Sequence, residues 1–118
     1  MFKFEKLDVW QKAIDFADLV YSKTKSFPAD ERFGLTNQMG RAAVSISSNI
    51  AEGSARISDA DFARFVEIAT GSLFEVVSGA TVAKRQRYLC DDTFSAICRA
   101  AEEQGRMLSG LRRTLVGN

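Results

Sequence analysis

The sequence predicts an all-α protein: one domain, an antiparallel four-helix bundle in up-down-up-down order. Three observations predict it. Four segments repeat apolar residues at three- and four-residue steps, the period of a half-buried helix. The 118 residues include a single proline, Pro28, so long stretches are free of helix breakers. No window shows the strict alternation of a half-buried strand. The links, centred on Pro28, on 53–57 and on 89–91, are short enough to turn each helix back on the last.

The helices are expected over about 8–26, 31–55, 58–87 and 92–115. In the first, Val9, Trp10, Ala13, Ile14, Phe16, Ala17, Val20 and Tyr21 share a broad face. Phe27-Pro28 should end it, because the residue before a proline avoids the α region. The second carries a core row of Leu35, Met39, Ala43, Ile46 and Ile50. Beside that row runs a polar one: Gln38, Arg41, Ser45, Asn49 and Glu52. A solvated helix face normally shows lysine and glutamate, whereas the stretch 42–48 offers only alanine, valine, isoleucine and serine.

Ser58 should cap the third helix, with Asp59 and Asp61 favoured at its positive end. Its core row runs from Phe62, Phe65 and Val66 through Ala69, Leu73, Val76, Val77 and Ala80 to Ala83; Ile68, Phe74 and Val82 fall off that face. Gly71 and Gly79 each weaken a helix by about 1 kcal/mol relative to alanine, and either can mark close approach of another backbone. The fourth helix should be capped by Asp91 or Asp92. Its inner face is Phe94, Ile97, Cys98, Ala101, Leu108, Leu111 and Leu115.

Hydrophobic residues are 46% and charged residues 26% of the chain, the balance of a globular domain rather than a disordered one. Sixteen basic and fifteen acidic residues give a net charge of +1, and the two signs are interleaved along the chain. Bulk electrostatics therefore favour no nucleic acid, and only a local or symmetry-repeated patch could bind one. Such patches are Lys84-Arg85-Arg87 and Arg112-Arg113, both also explicable as cations at a helix's negative end. Cys90 and Cys98 are expected to be reduced packing residues. No signal core and no segment long enough to cross a bilayer are evident, so a cytoplasmic location is expected.

The second and third helices hold more apolar and small-residue surface than one core stripe needs, which predicts contact with further copies of the chain. Gln38, Arg41, Ser45, Asn49, Glu52, Arg64, Glu67 and Glu75 are then candidates for a polar lattice between helices or subunits.

Catalytic chemistry is poorly supplied. The chain has no histidine, which removes the commonest general base and metal ligand, and no glycine-rich loop with phosphate-cradle spacing. Glu52, Glu67 and Glu75 could meet in an all-carboxylate metal site, but pairing with Arg41, Arg64 or serines is the simpler role. The expectation is a non-enzyme with no cofactor, no metal and no small-molecule substrate.

The stretch Arg41-Ala42-Ala43-Val44-Ser45-Ile46-Ser47-Ser48-Asn49-Ile50-Ala51-Glu52-Gly53 closely resembles the signature of the bacterial 23S ribosomal RNA intervening-sequence proteins. Leu7, Val9-Trp10-Gln11-Lys12-Ala13, Phe27-Pro28, Glu31, Phe33-Gly34-Leu35, Arg64-Phe65, Ile68-Ala69 and Gly71-Ser72-Leu73 also match, so the likeness spans residue 7 to about 90. Gly40 replaces a second arginine often found there, and Ser47 a proline. The resemblance implies a four-helix bundle assembled as a homopentamer. The fold is also similar to the accessory protein of diversity-generating retroelements, which binds a reverse transcriptase and nucleic acid. Two functions remain open: an accessory protein whose partner is RNA, DNA or a nucleic-acid enzyme, and a protein-binding or structural scaffold without nucleic-acid affinity.

Overall fold

A computed structural model describes residues 1–117. Among them all regular structure is helical: α1 (Asp8–Thr24), α2 (Leu35–Ser54), α3 (Asp59–Arg85) and α4 (Asp91–Val116), with short 3-10 turns at Lys3–Lys6 and Ala29–Glu31. Each helix packs on two others, α2 on α1 and α3, and α4 on α3 and α1, closing a ring around one core. The molecule measures 43 × 24 × 21 Å.

The core is the one the periodicity marks. Met39, Ala43, Ile46 and Ile50 of α2 meet Val66, Ala69, Leu73, Val76 and Ala80 of α3, with Ala13, Phe16 and Val20 of α1 and Ile97, Ala101 and Leu108 of α4. Burying each large apolar side chain contributes about 1.5–3 kcal/mol. Tyr21, expected on the inner face of α1, is instead half exposed, its ring lying 3.2 Å from where a Cβ on Gly40 would stand. Gln104 was not foreseen in the core, yet it is 1% exposed and its Nε2 donates to the Val9 carbonyl at 3.2 Å.

Helix ends differ from expectation where side chains outside the helix decide them. α2 begins at Leu35 rather than near residue 31. After Pro28 the chain makes a 3-10 turn, and Glu31 Oε1 then accepts from the Leu35 N–H at 3.0 Å. That bond satisfies an otherwise orphan donor and fixes the helix start across Gly34. The same carboxylate accepts from the Tyr88 hydroxyl through Oε2 at 3.2 Å, tying the α1–α2 link to the α3–α4 link. Burial first, then this hydrogen bond and the nearby Glu31 charge, raise the Tyr88 phenol above its usual range.

Ser58 caps α3 as expected, its Oγ accepting from the Asp61 N–H at 3.1 Å. α3 stops at Arg85 because Arg87 takes φ 65°, letting its N–H reach the Lys84 carbonyl and the Tyr88 N–H the Ala83 carbonyl. This is a Schellman ending with arginine where glycine is usual. Neither Asp91 nor Asp92 caps α4; Cys90 holds the cap position and both aspartates lie in the first turn.

One expectation about length is corrected. α3 is 27 residues long and has an apolar window of mean hydropathy 1.3, long and apolar enough by those measures to cross a membrane. Glu67 and Glu75 interrupt it, and its buried face packs on α2 and α4.

Candidate functional site

The polar row of α2 lies beside α3 and forms a hydrogen-bonded seam. Ser45 Oγ and Ser72 Oγ are 2.9 Å apart across the two helices. Asn49 Nδ2 donates to the Ser45 carbonyl at 2.8 Å and to Ser45 Oγ at 3.0 Å. The spacing explains this: residues four apart stack on one helix face, and a serine on each helix brings two small hydroxyls together.

Arg41 stands between two open grooves flanking that seam, the first mainly polar and the second mixed. One, of about 350 Å³, is lined by Asn37, Gln38, Arg41, Ser45, Ser72 and Glu75. The other, of about 400 Å³, is lined by Tyr21, Arg41, Val44, Ser48, Asn49 and Glu52. Among the described residues Arg41, Glu52 and Glu75 form no ion pair or side-chain hydrogen bond. Of the expected lattice, Ser45 and Asn49 are joined here, with Ser72 of α3, which the sequence did not single out, as the third member. Gln38, Arg41, Glu52 and Glu75 share the face without side-chain hydrogen bonds or ion pairs among the described residues.

The other lattice candidates lie elsewhere. Arg64 pairs locally with Asp61 at 3.5 Å. Glu67 sits on the α4 side of α3, where Arg112 Nε donates to its Oε2 at 2.9 Å. Glu52, Glu67 and Glu75 do not gather into a metal-binding group among the described residues.

Gly71 is exposed, and a Cβ there would meet nothing within 4 Å, so it marks no close approach inside the chain. At Gly79 what comes close is a side chain rather than the expected backbone: a Cβ would stand 2.8 Å from Met39 Cγ. Ile68, Phe74 and Val82 are exposed, as their position off the core row predicts, and Val44 of α2 joins them. An apolar groove of about 570 Å³ lies between α3 and α4, lined by Leu73, Phe74, Val77, Cys98, Ala101, Glu102 and Gly105.

The two basic clusters are partly engaged. Lys84 Nζ lies 3.7 Å from Asp91 and 4.7 Å from the centre of the Phe94 ring. Arg113 Nη1 donates to Ser109 Oγ at 3.2 Å, while Arg112 serves Glu67. Arg85 and Arg87 are exposed with no ion pair among the described residues. Because Arg112 faces Glu67, and Lys84 lies about 26 Å further along α3, the clusters do not merge.

Cys90 departs from its expected packing role. It is exposed before α4, where the Thr93 hydroxyl at 3.2 Å and the Thr93 backbone N–H lower its pKa. Cys98 is half-buried, and both thiols are free.

The sequence profile described as 23S rRNA-intervening sequence protein matches residues 5–110. None of the curated proteins matches the chain. Among solved structures, a protein of unknown function from the S23 ribosomal protein family of Bacteroides thetaiotaomicron superposes with a TM-score of 0.79. It is 23% identical, and the match covers 89% of this chain and 98% of that one. A likeness at that identity speaks for the fold alone.

Proposed function

The chain belongs to the family of 23S rRNA-intervening sequence proteins, and from that premise we propose a non-enzymatic accessory protein that works as a homo-oligomer, a pentamer, of antiparallel up-down-up-down bundles. The pairs Glu67–Arg112 and Lys84–Asp91, at opposite ends of α3 and α4, support the antiparallel order. The reading places the protein in the cytoplasm, where two free thiols stay reduced.

One observation carries self-assembly: the α2–α3 face presents Arg41, Glu52 and Glu75 without ion-pair partners among the described residues, between exposed Val44, Ile68 and Val82. Opposite charges on one face, flanked by apolar side chains, suit another copy of the same chain. Size-exclusion chromatography with light scattering tests it. The expected mass is five copies of a 13.0 kDa chain, about 65 kDa, and Arg41→Glu should shift it towards one copy. A parent protein that elutes as a single copy at micromolar concentration overturns the reading.

RNA or DNA is the proposed partner, held by Arg85, Arg87 and Arg113, which form no ion pair among the described residues, repeated by the assembly. A salt series of binding assays tests this arm, since phosphate contacts weaken steeply with salt. The pairing of Lys84 with Asp91 and of Arg112 with Glu67 favours the second reading, a protein-binding or structural scaffold without nucleic-acid affinity.

A further inference from the structure

The segment before α1 is ordered in a way its composition alone does not require. Phe2 N–H meets Glu5 Oε1 at 3.3 Å, and Gln11 Nε2 donates to the Glu5 carbonyl at 2.8 Å. The 3-10 turn Lys3–Lys6 packs on α1 and α2. Phe4 sits edge-on against Trp10 with ring centroids 5.0 Å apart. Phe2 stacks on Phe4 nearly in parallel, at 5.9 Å and 13°.

The outcome is a short aromatic ladder anchored at one end and open at the other. Phe4 and Trp10 are half-buried, whereas Phe2 is 71% exposed. A ring held flat against its neighbour, with its other face in water, is a stacking platform that lacks its next layer. Lys3 and Lys6, both exposed and without ion pairs among the described residues, flank the ladder. Of the acids nearby, Glu5 is half-buried and accepts from the Phe2 N–H, and Asp8 is exposed; neither pairs with Lys3 or Lys6 among the described residues.

We propose that this ladder is a binding site for single-stranded nucleic acid, with a base stacking on Phe2 and backbone phosphates meeting Lys3 and Lys6. Flat aromatic rings interleaved with lysine suit unpaired bases, because every base offers a π-face while a duplex keeps its bases stacked inside. A purely apolar partner would leave both lysines without a role. The inference rests on the nucleic-acid arm of the proposed function but places contact on the segment before α1, on residues outside the two clusters the sequence singles out. It needs no second copy of the chain.

Trp10 makes the test local, because it is the only tryptophan. A short labelled oligouridylate is titrated against the full chain at low salt, following anisotropy and tryptophan emission together. Binding with a change in Trp10 emission, stronger than for a duplex of equal length, is expected. Phe2→Ala should weaken it about tenfold, and Phe2→Leu nearly as much, because leucine keeps the apolar bulk but loses the stacking face. Lys3→Gln with Lys6→Gln should flatten the salt dependence by about 1.4 log units per log unit of salt, two phosphates on a single strand. These substitutions lie on an exposed turn, so circular dichroism should remain that of the parent. Salt-dependent binding that ignores Phe2→Ala and leaves Trp10 silent overturns the ladder while sparing the nucleic-acid reading. Absence of binding at every salt concentration overturns both.

Discussion

Replacing Gly53 by alanine should destabilise the protein, although alanine is the better helix former. Gly53 lies in the last turn of α2, where the α3 aromatics cross it. A Cβ there would stand 2.7 Å from Phe62 Cδ1 and 2.8 Å from Phe65 Cβ. Carbons in contact sit about 3.5–4.0 Å apart, so the overlap is close to 1 Å. The Phe62 ring can turn aside, but Phe65 Cβ is bonded to the backbone, and no rotamer moves it. The start of α3 must shift away from α2. Overpacking costs about 1–3 kcal/mol, and a clash that moves backbone falls in the upper part of that range, about 2–3 kcal/mol, of which alanine's helix preference returns about 1 kcal/mol. The net loss is about 1–2 kcal/mol, or a fall in Tm of about 4–10 °C for a domain of this size. Thermal melts by circular dichroism, at one protein concentration throughout, measure it. Gly110→Ala is the control: its nearest atom would be Arg113 Nη2 at 4.0 Å, so it should gain up to about 1 kcal/mol. A Gly53→Ala protein that melts at or above the parent would refute the steric argument.

Arg87→Gly should stabilise the chain by about 1 kcal/mol, because arginine at φ 65° bears the Cβ clash that glycine lacks; urea denaturation reads this out. Tyr88 should ionise later than an ordinary phenol. Stability from its raised pKa is then intact below the usual phenol range and lost as pH rises through the folded value; absorbance titration should show Glu31→Gln bringing the ionisation earlier. Cys90 should alkylate faster than Cys98 near neutral pH, and Thr93→Val should slow it by removing the hydroxyl that stabilises the thiolate; peptide mapping after brief labelling distinguishes the two thiols.

Periodicity reached the core because burial is a property of a face. Met39, Ile46 and Ile50, or Val66, Leu73 and Val76, need only the right repeat to point inward. The same rule put Ile68, Phe74 and Val82 outside. It misplaced the start of α2 because that boundary is set by the Glu31 carboxylate, which reaches over Gly34 to a backbone donor. It missed Gln104, since a long amide is normally solvated and only the Val9 carbonyl on another helix rewards its burial. Gly71 and Gly79 look alike in sequence, and only packing shows that Met39 presses on the second. Partners of the polar row were the least legible part. Ser45 and Asn49 are four apart and could be foreseen, whereas Arg112 reaching Glu67 depends on how α4 returns past α3. The aromatic ladder had a local signal, the run Phe2-Lys3-Phe4 followed by Lys6, but its stacking depends on Trp10 in the next element.

The amide of Gln104 holding the Val9 carbonyl joins positions 95 apart in the chain. During synthesis, α1 emerges first and its outer flank has nothing to rest on until the last helix leaves the ribosome. α1, α2 and α3 can already associate through local hairpins, but the flank of α1 with Phe16 and Leu19, which lies beside Ala100 and Gln104 of α4, is uncovered for most of that interval. A nascent chain truncated before Gln104 should therefore be the species that most needs a chaperone, with α1 as the segment it recognises.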